Sequence, residues 1–292
     1  MMPSLPFVIG AGVSRTGTTS LKAALETLGY HPFHTSELFH GQADADSWFR
    51  LATAARKGQD TQNLTLQTAQ LVLDQGYNAT TDFPTALLLE EFLKLQPNAK
   101  VILSVRSNSS VWKDSIVETM GKTYGVYSRP PFSMQPFFRQ YTNDLLPWFL
   151  ERFGAVPPGK TFHPRDSMEE LDLERAYTNW IQHVKKLVPS KRLLIHKPED
   201  GFAPICKHLK IATCPMEYPH LNSRDEYLNT MWTFEIMNNI FWPVSWSFVL
   251  LLLVLIRFYI TLQAQNKTAR KAAKKAARKK GKDKGDVAKK KI

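Results

Sequence analysis

The residues best suited to chemistry in this sequence form a short loop near the N-terminus. Residues 12–20 read Gly-Val-Ser-Arg-Thr-Gly-Thr-Thr-Ser and lie between an apolar run at 5–11 and a segment, 18–28, whose apolar residues have helical spacing. The N–H groups that open a helix point outward and bind anions, and the helix dipole adds about half a positive charge. The residues expected to contact an anion here are Arg15, Thr16, Gly17, Thr18, Thr19 and Ser20.

The loop is similar to a Walker A phosphate-binding loop but lacks its lysine. The Walker pattern places lysine directly after the second glycine, where this chain has Thr18. Nucleotide hydrolysis depends on that lysine at the terminal phosphates. A kinase or NTPase is therefore disfavoured, and Arg15 becomes the cation of the loop. The alternative without a ligand is an ordinary strand-to-helix turn with a threonine N-cap.

The elements around the loop predict the fold class. Apolar, strand-like runs at 5–11, 100–105 and 192–196 alternate with helical periodicity at 85–95 and 173–188. Short buried strands separated by helices are typical of a parallel sheet covered on both faces, which binds ligands at the carboxyl ends of its strands. We predict an α/β fold: a three-layer P-loop-type parallel sheet with helices on both faces, then a C-terminal hydrophobic helix and a basic tail.

Several segments resemble the P-loop sulfotransferases. Residues 15–30, which begin Arg-Thr-Gly-Thr-Thr-Ser, are similar to the loop of that family that binds the 5′-phosphosulfate. Asp82-Phe-Pro84, the run 97–106 and the block 193–222 match further family segments, so that the resemblance covers most of 5–230. It implies transfer of a sulfuryl group from 3′-phosphoadenosine 5′-phosphosulfate (PAPS) to a hydroxyl or amine, with no metal.

The resemblance also implies a second anchor for the nucleotide. The 3′-phosphate would bind Arg106, at the end of the 100–105 strand, and Ser115 in the helix that follows. An arginine fork suits phosphate, and a strand end faces the ligand edge of the sheet. The family has its serine eight residues after the arginine, whereas Ser115 lies nine residues on, so Ser109 or Ser110 is an alternative. The alternative for Arg106 is a surface ion pair.

Two residues are candidates for the base that removes the acceptor proton. Asp82 follows the short stretch 77–81 and is expected to end a strand at the ligand edge. It is equally suited to cap the helix that begins near Pro84. His34 lies where a second strand would end, and its alternative role is that of a solvated loop histidine. Arg15 is expected to stabilise the charge that develops on the leaving phosphate oxygen.

The identity of the acceptor is open, and so is activity itself. A carbohydrate, a lipid or a small alcohol or phenol would each suit the aromatic and proline-rich segment 124–138, which is either an acceptor lid or packing under a loop. The competing function is a non-catalytic, nucleotide-binding membrane scaffold with the sulfotransferase fold. No specific nucleic-acid partner is expected, because the basic tail has no interleaved aromatic residues for base stacking.

Three zones divide the chain. Residues 1–237 are predicted to be the sulfotransferase-like P-loop domain, 238–262 a transmembrane or membrane-inserted helix, and 263–292 a Lys/Ala-rich tail. The apolar run 240–262 is long enough for a bilayer, which needs about 20 helical residues, and its one arginine, Arg257, can snorkel near one end. A buried core helix and a re-entrant hairpin around Pro243 are the alternatives.

The charge of the chain is concentrated in this tail. The formal net charge is +12, and residues 263–292 contain 13 Lys/Arg against two Asp. Membrane lipid is therefore the expected partner, through both 240–262 and the tail. The endoplasmic reticulum or Golgi is the expected location, with the side of the domain left open. The Lys-Lys-Lys-Ile end resembles a retrieval signal, and the N-terminus does not resemble a secretory signal.

The two cysteines, Cys206 and Cys214, are too few for a disulfide framework. We expect both to be thiols in the core or at the surface.

Overall fold

The structure is a computed structural model in which residues 5–163, 166–221 and 223–289 are described. The chain divides into two compact units, Met1–Asn238 and Asn239–Ile292. The first unit contains the sheet and the helices around it, and the second is helical wherever it is described. The predicted zone boundaries after residues 237 and 262 stay predictions.

Five strands and eleven α-helices make up the described chain. The strands are β1 (Val8–Gly10), β2 (Pro32–Phe33), β3 (Ala79–Thr80), β4 (Lys100–Ser104) and β5 (Leu193–His196). The helices are α1 (Thr18–Thr27), α2 (Thr35–Phe39), α3 (Ala45–Arg56), α4 (Gln62–Asp74), α5 (Leu89–Leu95), α6 (Ser109–Tyr127), α7 (Pro136–Gln140), α8 (Leu146–Arg152), α9 (Leu173–Leu187), α10 (Ala203–Leu209) and α11 (Arg224–Lys289). A 3₁₀ turn, Thr85–Leu88, precedes α5.

The strands form one parallel sheet in the order β2-β3-β1-β4-β5. In this sheet Ile9 of β1 is in register with Thr80 of β3 and with Val101 of β4. Since β2 and β3 lie on one side of β1 and β4 and β5 on the other, the chain changes direction beside the carboxyl end of β1. Ligands bind at such a point in open α/β sheets. The predicted parallel α/β fold is confirmed.

Both faces of the sheet are buried, as the unbroken apolar strands predict. Along β1 and β4, neighbouring residues belong to two different hydrophobic clusters: Ile9 and Val101 to the larger, Val8 and Ile102 to the smaller. Successive side chains of a strand point to opposite faces, so the two clusters lie on the two sides of the sheet. Each fully buried aliphatic side chain stabilises the fold by about 1.5–3 kcal/mol relative to exposure.

The expectation that the cysteines are thiols was wrong. Cys206 and Cys214 form a disulfide with Cα atoms 5.9 Å apart, and Cys206 lies in the smaller hydrophobic cluster. Lys210, with φ of 59°, ends α10 between them and turns the chain back, which brings the two sulfurs together across eight residues. Counting cysteines excludes a framework of several bridges, but it does not exclude a single local one.

The apolar helix predicted after the domain is present and is longer than expected. Among the described residues, one helix is long and apolar enough to cross a membrane, with a candidate span Arg224–Lys267 and a peak mean hydropathy of 2.1. The helix is continuous through Pro243, which disagrees with a hairpin at that position. Large apolar side chains such as Phe248 and Val254 are more than 60% exposed, which disagrees with a buried core helix. The Lys-Lys-Lys-Ile end falls largely on 290–292, outside the described residues.

Candidate active site

The loop between β1 and α1 has two residues in the left-handed region, Arg15 with φ of 67° and Gly17 with φ of 91°. Only glycine adopts that conformation without strain, and a Cβ at Gly17 would lie 2.5 Å from the Pro198 Cγ atom. Arg15 is held in it by its surroundings, because this side chain is 8% exposed. The two left-handed residues turn the chain sharply into α1 and aim the start of the helix at the sheet edge.

The hydrogen-bonding groups of the loop are divided between its two sides. Four main-chain carbonyls of the loop accept hydrogen bonds from side chains, one of them from within the loop and three from elsewhere in the chain. In the described chain the N–H groups of Gly17, Thr18 and Ser20 have no main-chain acceptor. The carbonyl bonds run from Trp180 Nε1 to Ala11 (2.9 Å), from Thr16 Oγ1 to Val13 (2.7 Å), from Trp112 Nε1 to Ser14 (2.9 Å) and from Arg106 Nε to Arg15 (2.6 Å).

A first cavity of about 300 Å³ opens in front of these N–H groups. Two cations face it, and Glu199 is its one carboxylate among the described residues. The lining residues are Arg15, Gly17, Thr18, Thr19, Ser20, Arg106, Pro198, Glu199, His220, Leu221 and Ser223. Two arginines, a helix start and four hydroxyl side chains on one concave surface make this cavity a candidate site for an anion.

Two of the predicted nucleotide ligands lie outside this lining. The Thr16 side chain is fully buried and bonds the Ser104 hydroxyl at 2.7 Å, so it supports the loop from behind. Ser115 accepts a hydrogen bond from Arg15 Nε at 3.2 Å and is 7% exposed. It therefore positions Arg15. Direct contact of either side chain with a nucleotide stays a prediction.

The predicted cation Arg15 has a strongly anchored guanidinium. Besides its bond to Ser115, its guanidinium carbon lies 5.1 Å from the centre of the Tyr227 ring. Burial lowers the pKa of Arg15, and the charge of Arg106 lowers it further, while Asp82 acts in the opposite direction. Because arginine remains charged throughout the physiological range, the site keeps a buried cation that an anionic ligand would stabilise.

A second cavity, of about 280 Å³, adjoins the first. The two cavities share Arg15, Thr18 and Thr19, so these residues lie at the boundary between the cavities. Asp82 and His34, the two predicted base candidates, line only the second cavity. The structure therefore brings the loop between β1 and α1 and both candidate bases to one edge of the sheet.

Asp82 and His34 follow strands, as the sequence predicts, and they contact each other. Asp82 Oδ1 accepts a hydrogen bond from the Ser14 hydroxyl at 2.7 Å, and Oδ2 lies 2.7 Å from the Thr35 hydroxyl and 3.3 Å from His34 Nε2. The carboxylate is 5% exposed and its residue has φ of 70°. No main-chain N–H of the following described turn bonds this carboxylate, so it is not the cap of that turn.

The bonds of His34 define which ring nitrogen carries the proton. The Ser36 main-chain N–H donates to His34 Nδ1 at 3.1 Å, so Nδ1 is an acceptor and Nε2 carries the hydrogen. That hydrogen faces Asp82 Oδ2 at 3.3 Å and the Thr19 hydroxyl at 3.5 Å. Burial lowers the pKa of His34 despite the nearby carboxylate, so the ring is neutral near pH 7. A neutral ring in this tautomer is a hydrogen-bond donor to Asp82.

Sequence reasoning missed three residues that complete this arrangement. Ser14 and Thr35 bond the Asp82 carboxylate, and Tyr227 forms a wall of the second cavity from the first turn of α11. No sequence pattern marks Ser14 or Thr35 as a partner of Asp82. The start of α11 could have been recognised from the sequence, because Tyr227, Met231 and Phe234 are spaced as one face of a helix, which ends at the buried Asn238.

Within the described ranges, no cluster of three or more His, Cys, Asp or Glu suited to a metal ion is found.

The fold and this site have the layout of a P-loop protein: a parallel sheet, a glycine-containing loop between β1 and α1, and two adjoining cavities at the carboxyl ends of the strands. Residues 7–227 match the family described as "Sulfotransferase domain", which covers most of the chain. The chain belongs to this sulfotransferase family. It is also similar to "Ava biosynthesis cluster protein M" of Aspergillus versicolor, with 28% identity over 224 residues, 76% of this chain and 83% of that protein.

Proposed function

We propose that this protein transfers a sulfuryl group from PAPS to a hydroxyl group of a small acceptor. Membership of the sulfotransferase family supports the class of reaction. The observation that carries the finer proposal is the pair of adjoining cavities, one built for an anion and one containing a buried carboxylate, which share Arg15, Thr18 and Thr19. PAPS supplies the activated sulfuryl group when it is bound.

The lining of the first cavity supports the choice of PAPS as the donor. The N–H groups of Gly17 and Thr18 would bind the 5′ phosphosulfate end, since they have no other main-chain acceptor within the described chain. Arg106 would bind the 3′-phosphate through its terminal nitrogens, while its Nε stays bonded to the loop carbonyl of Arg15. Arg15, at the junction of the cavities, is suited to stabilise charge on the leaving oxygen.

The hydrogen bonds favour Asp82 over His34 as the base. A carboxylate has about four lone-pair sites, and its three partners here occupy at most three of them. One site therefore remains for the acceptor proton. His34 Nδ1 already accepts a bond from Ser36, and its Nε2 carries a hydrogen, so this tautomer has no free site. His34 is then a positioning residue that holds the carboxylate in place.

Binding of the desulfated product tests the donor site without an acceptor. Isothermal titration of the full chain in lipid nanodiscs with 3′-phosphoadenosine 5′-phosphate (PAP) should give clear binding, and ATP weak binding or none. Arg106→Ala should weaken PAP binding about 10–100-fold, since a hydrogen bond to a charged group contributes about 1.5–3 kcal/mol. Arg50→Ala, an exposed arginine of α3, is the matched control and should leave the affinity unchanged.

One outcome would refute the role of Arg106, and another would refute the choice of donor. Equal affinity of the wild type and Arg106→Ala for PAP would remove Arg106 from the site. Equal binding of ATP and PAP would favour a general nucleotide pocket. A chain that binds PAP but transfers nothing from PAPS to any acceptor would be the nucleotide-binding scaffold.

We further propose that α11 anchors the protein in a membrane of the endoplasmic reticulum or Golgi, with the folded body in the lumen. The basic segment after the span favours a cytosolic tail, because cytosolic flanks are rich in Lys and Arg. The Cys206–Cys214 disulfide supports a lumenal body, because disulfides persist in oxidising compartments. Membrane lipid is then the partner of 240–262 and of the basic tail.

Glycosylation reports this topology directly. The exposed Asn63 begins an Asn-Leu-Thr acceptor sequence in α4, and Asn266 begins another in the tail. A lumenal body predicts a glycosidase-sensitive mass that Asn63→Gln reduces and Asn266→Gln does not. Digestion of the body by protease added to intact vesicles would overturn the proposal.

A further inference from the structure

One wall of the second cavity, formed by Phe39, Tyr127 and Tyr141, is aromatic. Phe39 lies edge-on to Tyr141 with ring centres 5.0 Å apart and tilted against Tyr127 at 5.9 Å. Met120 and Met231 flank this wall on the side formed by α6 and α11. Both tyrosine rings are nearly fully buried, at 5% and 6% exposure. Such a wall stacks against a flat apolar ligand, with about 0.5–1.5 kcal/mol per aromatic pair beyond burial.

The second cavity has few charged groups. Among its described lining residues, Arg15, Asp82 and His34 are the only acidic, basic or histidine side chains, and the first two contribute opposite charges. No lysine and no second arginine are among the described residues that line it. A sulfated or phosphorylated acceptor, and an acidic polysaccharide, would therefore find no additional cation in the described lining.

Most hydroxyl groups that line this cavity already have protein partners. Ser14 donates to Asp82 at 2.7 Å, Thr230 donates to the Glu226 carbonyl at 3.0 Å, and Thr123 is bonded to the Thr119 carbonyl at 3.0 Å. A sugar needs a hydrogen-bond partner for each of several hydroxyls, and each one buried without a partner costs about 1–3 kcal/mol. The cavity is built to satisfy a small number of polar groups, gathered near the carboxylate.

Two phenol groups on the aromatic wall add a limited polar capacity. In the described chain the Tyr127 and Tyr141 hydroxyls have no hydrogen-bond partner, and burial raises the pKa of both well above the usual tyrosine value. They stay protonated at pH 7 and can each donate one bond to an oxygen of a bound molecule.

We propose that the acceptor is a small phenol or aromatic alcohol, and that sugars are not acceptors; this rests on the proposed sulfotransferase function. The cavity of about 280 Å³ is at the small end of ligand pockets, which span roughly 300–1,000 Å³. The ring would lie against Phe39, Tyr127 and Tyr141 with its hydroxyl at Asp82. The hydroxyl oxygen bonds to sulfur and gives its proton to Asp82, while the sulfur–oxygen bond to the phosphate breaks and PAP leaves with that electron pair.

The test uses 2-naphthol and methyl β-glucoside as probes on the full chain in nanodiscs saturated with PAP. We expect saturable binding of 2-naphthol by titration calorimetry, no binding of the glucoside, and sulfation of 2-naphthol when PAPS replaces PAP. Thr230→Trp should weaken 2-naphthol binding by about tenfold or more, because the indole would fill the cavity. PAP affinity should stay unchanged, because Thr230 does not line the first cavity.

Thr233→Trp is the matched control. Thr233 lies one turn further along α11, is exposed, and makes the same kind of bond to the carbonyl four residues earlier, at 3.1 Å. It does not line the cavity, so 2-naphthol binding should be unchanged.

The outcomes separate the acceptor from the reaction. Binding of the glucoside in preference to 2-naphthol, with PAP bound normally, overturns the aromatic acceptor and leaves the donor site intact. Equal losses in Thr230→Trp and Thr233→Trp overturn the assignment of this cavity. Failure of PAP to bind overturns the proposed function itself.

Discussion

Replacing Asp82 by asparagine separates the role of this carboxylate as a base from its role in the structure. Asparagine keeps the size of the side chain and tolerates the left-handed backbone, with φ of 70°, that Asp82 adopts. It cannot take a proton from the acceptor, and a general base contributes about 10²–10⁴-fold to the rate. We therefore expect kcat with PAPS and 2-naphthol to fall by that factor, which corresponds to about 3–5 kcal/mol.

The same substitution has a smaller effect on folding. The carboxylate faces three donors, Ser14, Thr35 and His34, and an asparagine amide nitrogen can accept from none of them. One buried donor loses its acceptor, which costs about 1–3 kcal/mol in the free energy of unfolding. Thermal denaturation should show this loss, while PAP affinity stays within about twofold of wild type.

Asp44→Asn is the control for this experiment. Asp44 caps α3 through a bond to the Asp46 N–H at 3.0 Å and lines neither cavity of the site. It should retain full turnover. If Asp82→Asn kept kcat within about threefold of wild type while folding normally, the carboxylate would not be the base, and the lone-pair argument against His34 would fail with it.

Three further predictions follow from the loop, the histidine and the disulfide. Gly17→Ala should lower the free energy of unfolding by about 1–2 kcal/mol and weaken PAP binding, because φ of 91° is strained for a residue with a Cβ and that Cβ would lie 2.5 Å from Pro198 Cγ. Gly121→Ala, in an open helical position, should not destabilise the protein in the same denaturant titration. Burial lowers the pKa of His34 in the folded protein, so just below pH 6.5 the unfolded chain binds a proton that the folded protein does not, and the free energy of unfolding rises with pH by at most about 1.4 kcal/mol per pH unit. His34→Asn should remove this pH dependence, which thermal melts from pH 5 to 8 would measure. Cys214→Ser should destabilise by about 2–3 kcal/mol, the entropy of a short closed loop with Cys206, and should abolish the sensitivity of Tm to reductant.

The parts of the fold with strong local patterns could be predicted from the sequence. The anion loop needs only a strand, a glycine turn and a helix start in order, and each is encoded within 5–28. The sequence also predicts that one strand ends before His34 and another before Asp82. The structure agrees, since β2 and β3 end there, although each of these strands has only two residues. Their positions follow from chain order in an α/β sheet, which places successive strand ends along one edge.

The contacts between these elements could not be predicted. The bond from Ser14 to Asp82 joins residues 68 positions apart, and only the tertiary fold brings them to 2.7 Å. The orientation of Thr16 into the core depends likewise on Ser104 of β4. The true start of α11 at Arg224 was missed, because the apolar run 240–262 dominates the pattern and hides the weaker helical face before it.

The carbonyl bonds of the loop between β1 and α1 would also make its affinity for an anion depend on residues that do not line the first cavity. The Trp112 and Trp180 indoles fix the Ser14 and Ala11 peptides from α6 and α9. A peptide held this way cannot flip to aim its oxygen at an anion, so the donors of the loop would be in place before an anion binds, and binding would require little ordering. Trp112→Phe would keep much of the packing and release one peptide, which would weaken anion binding without any change to the lining of the first cavity.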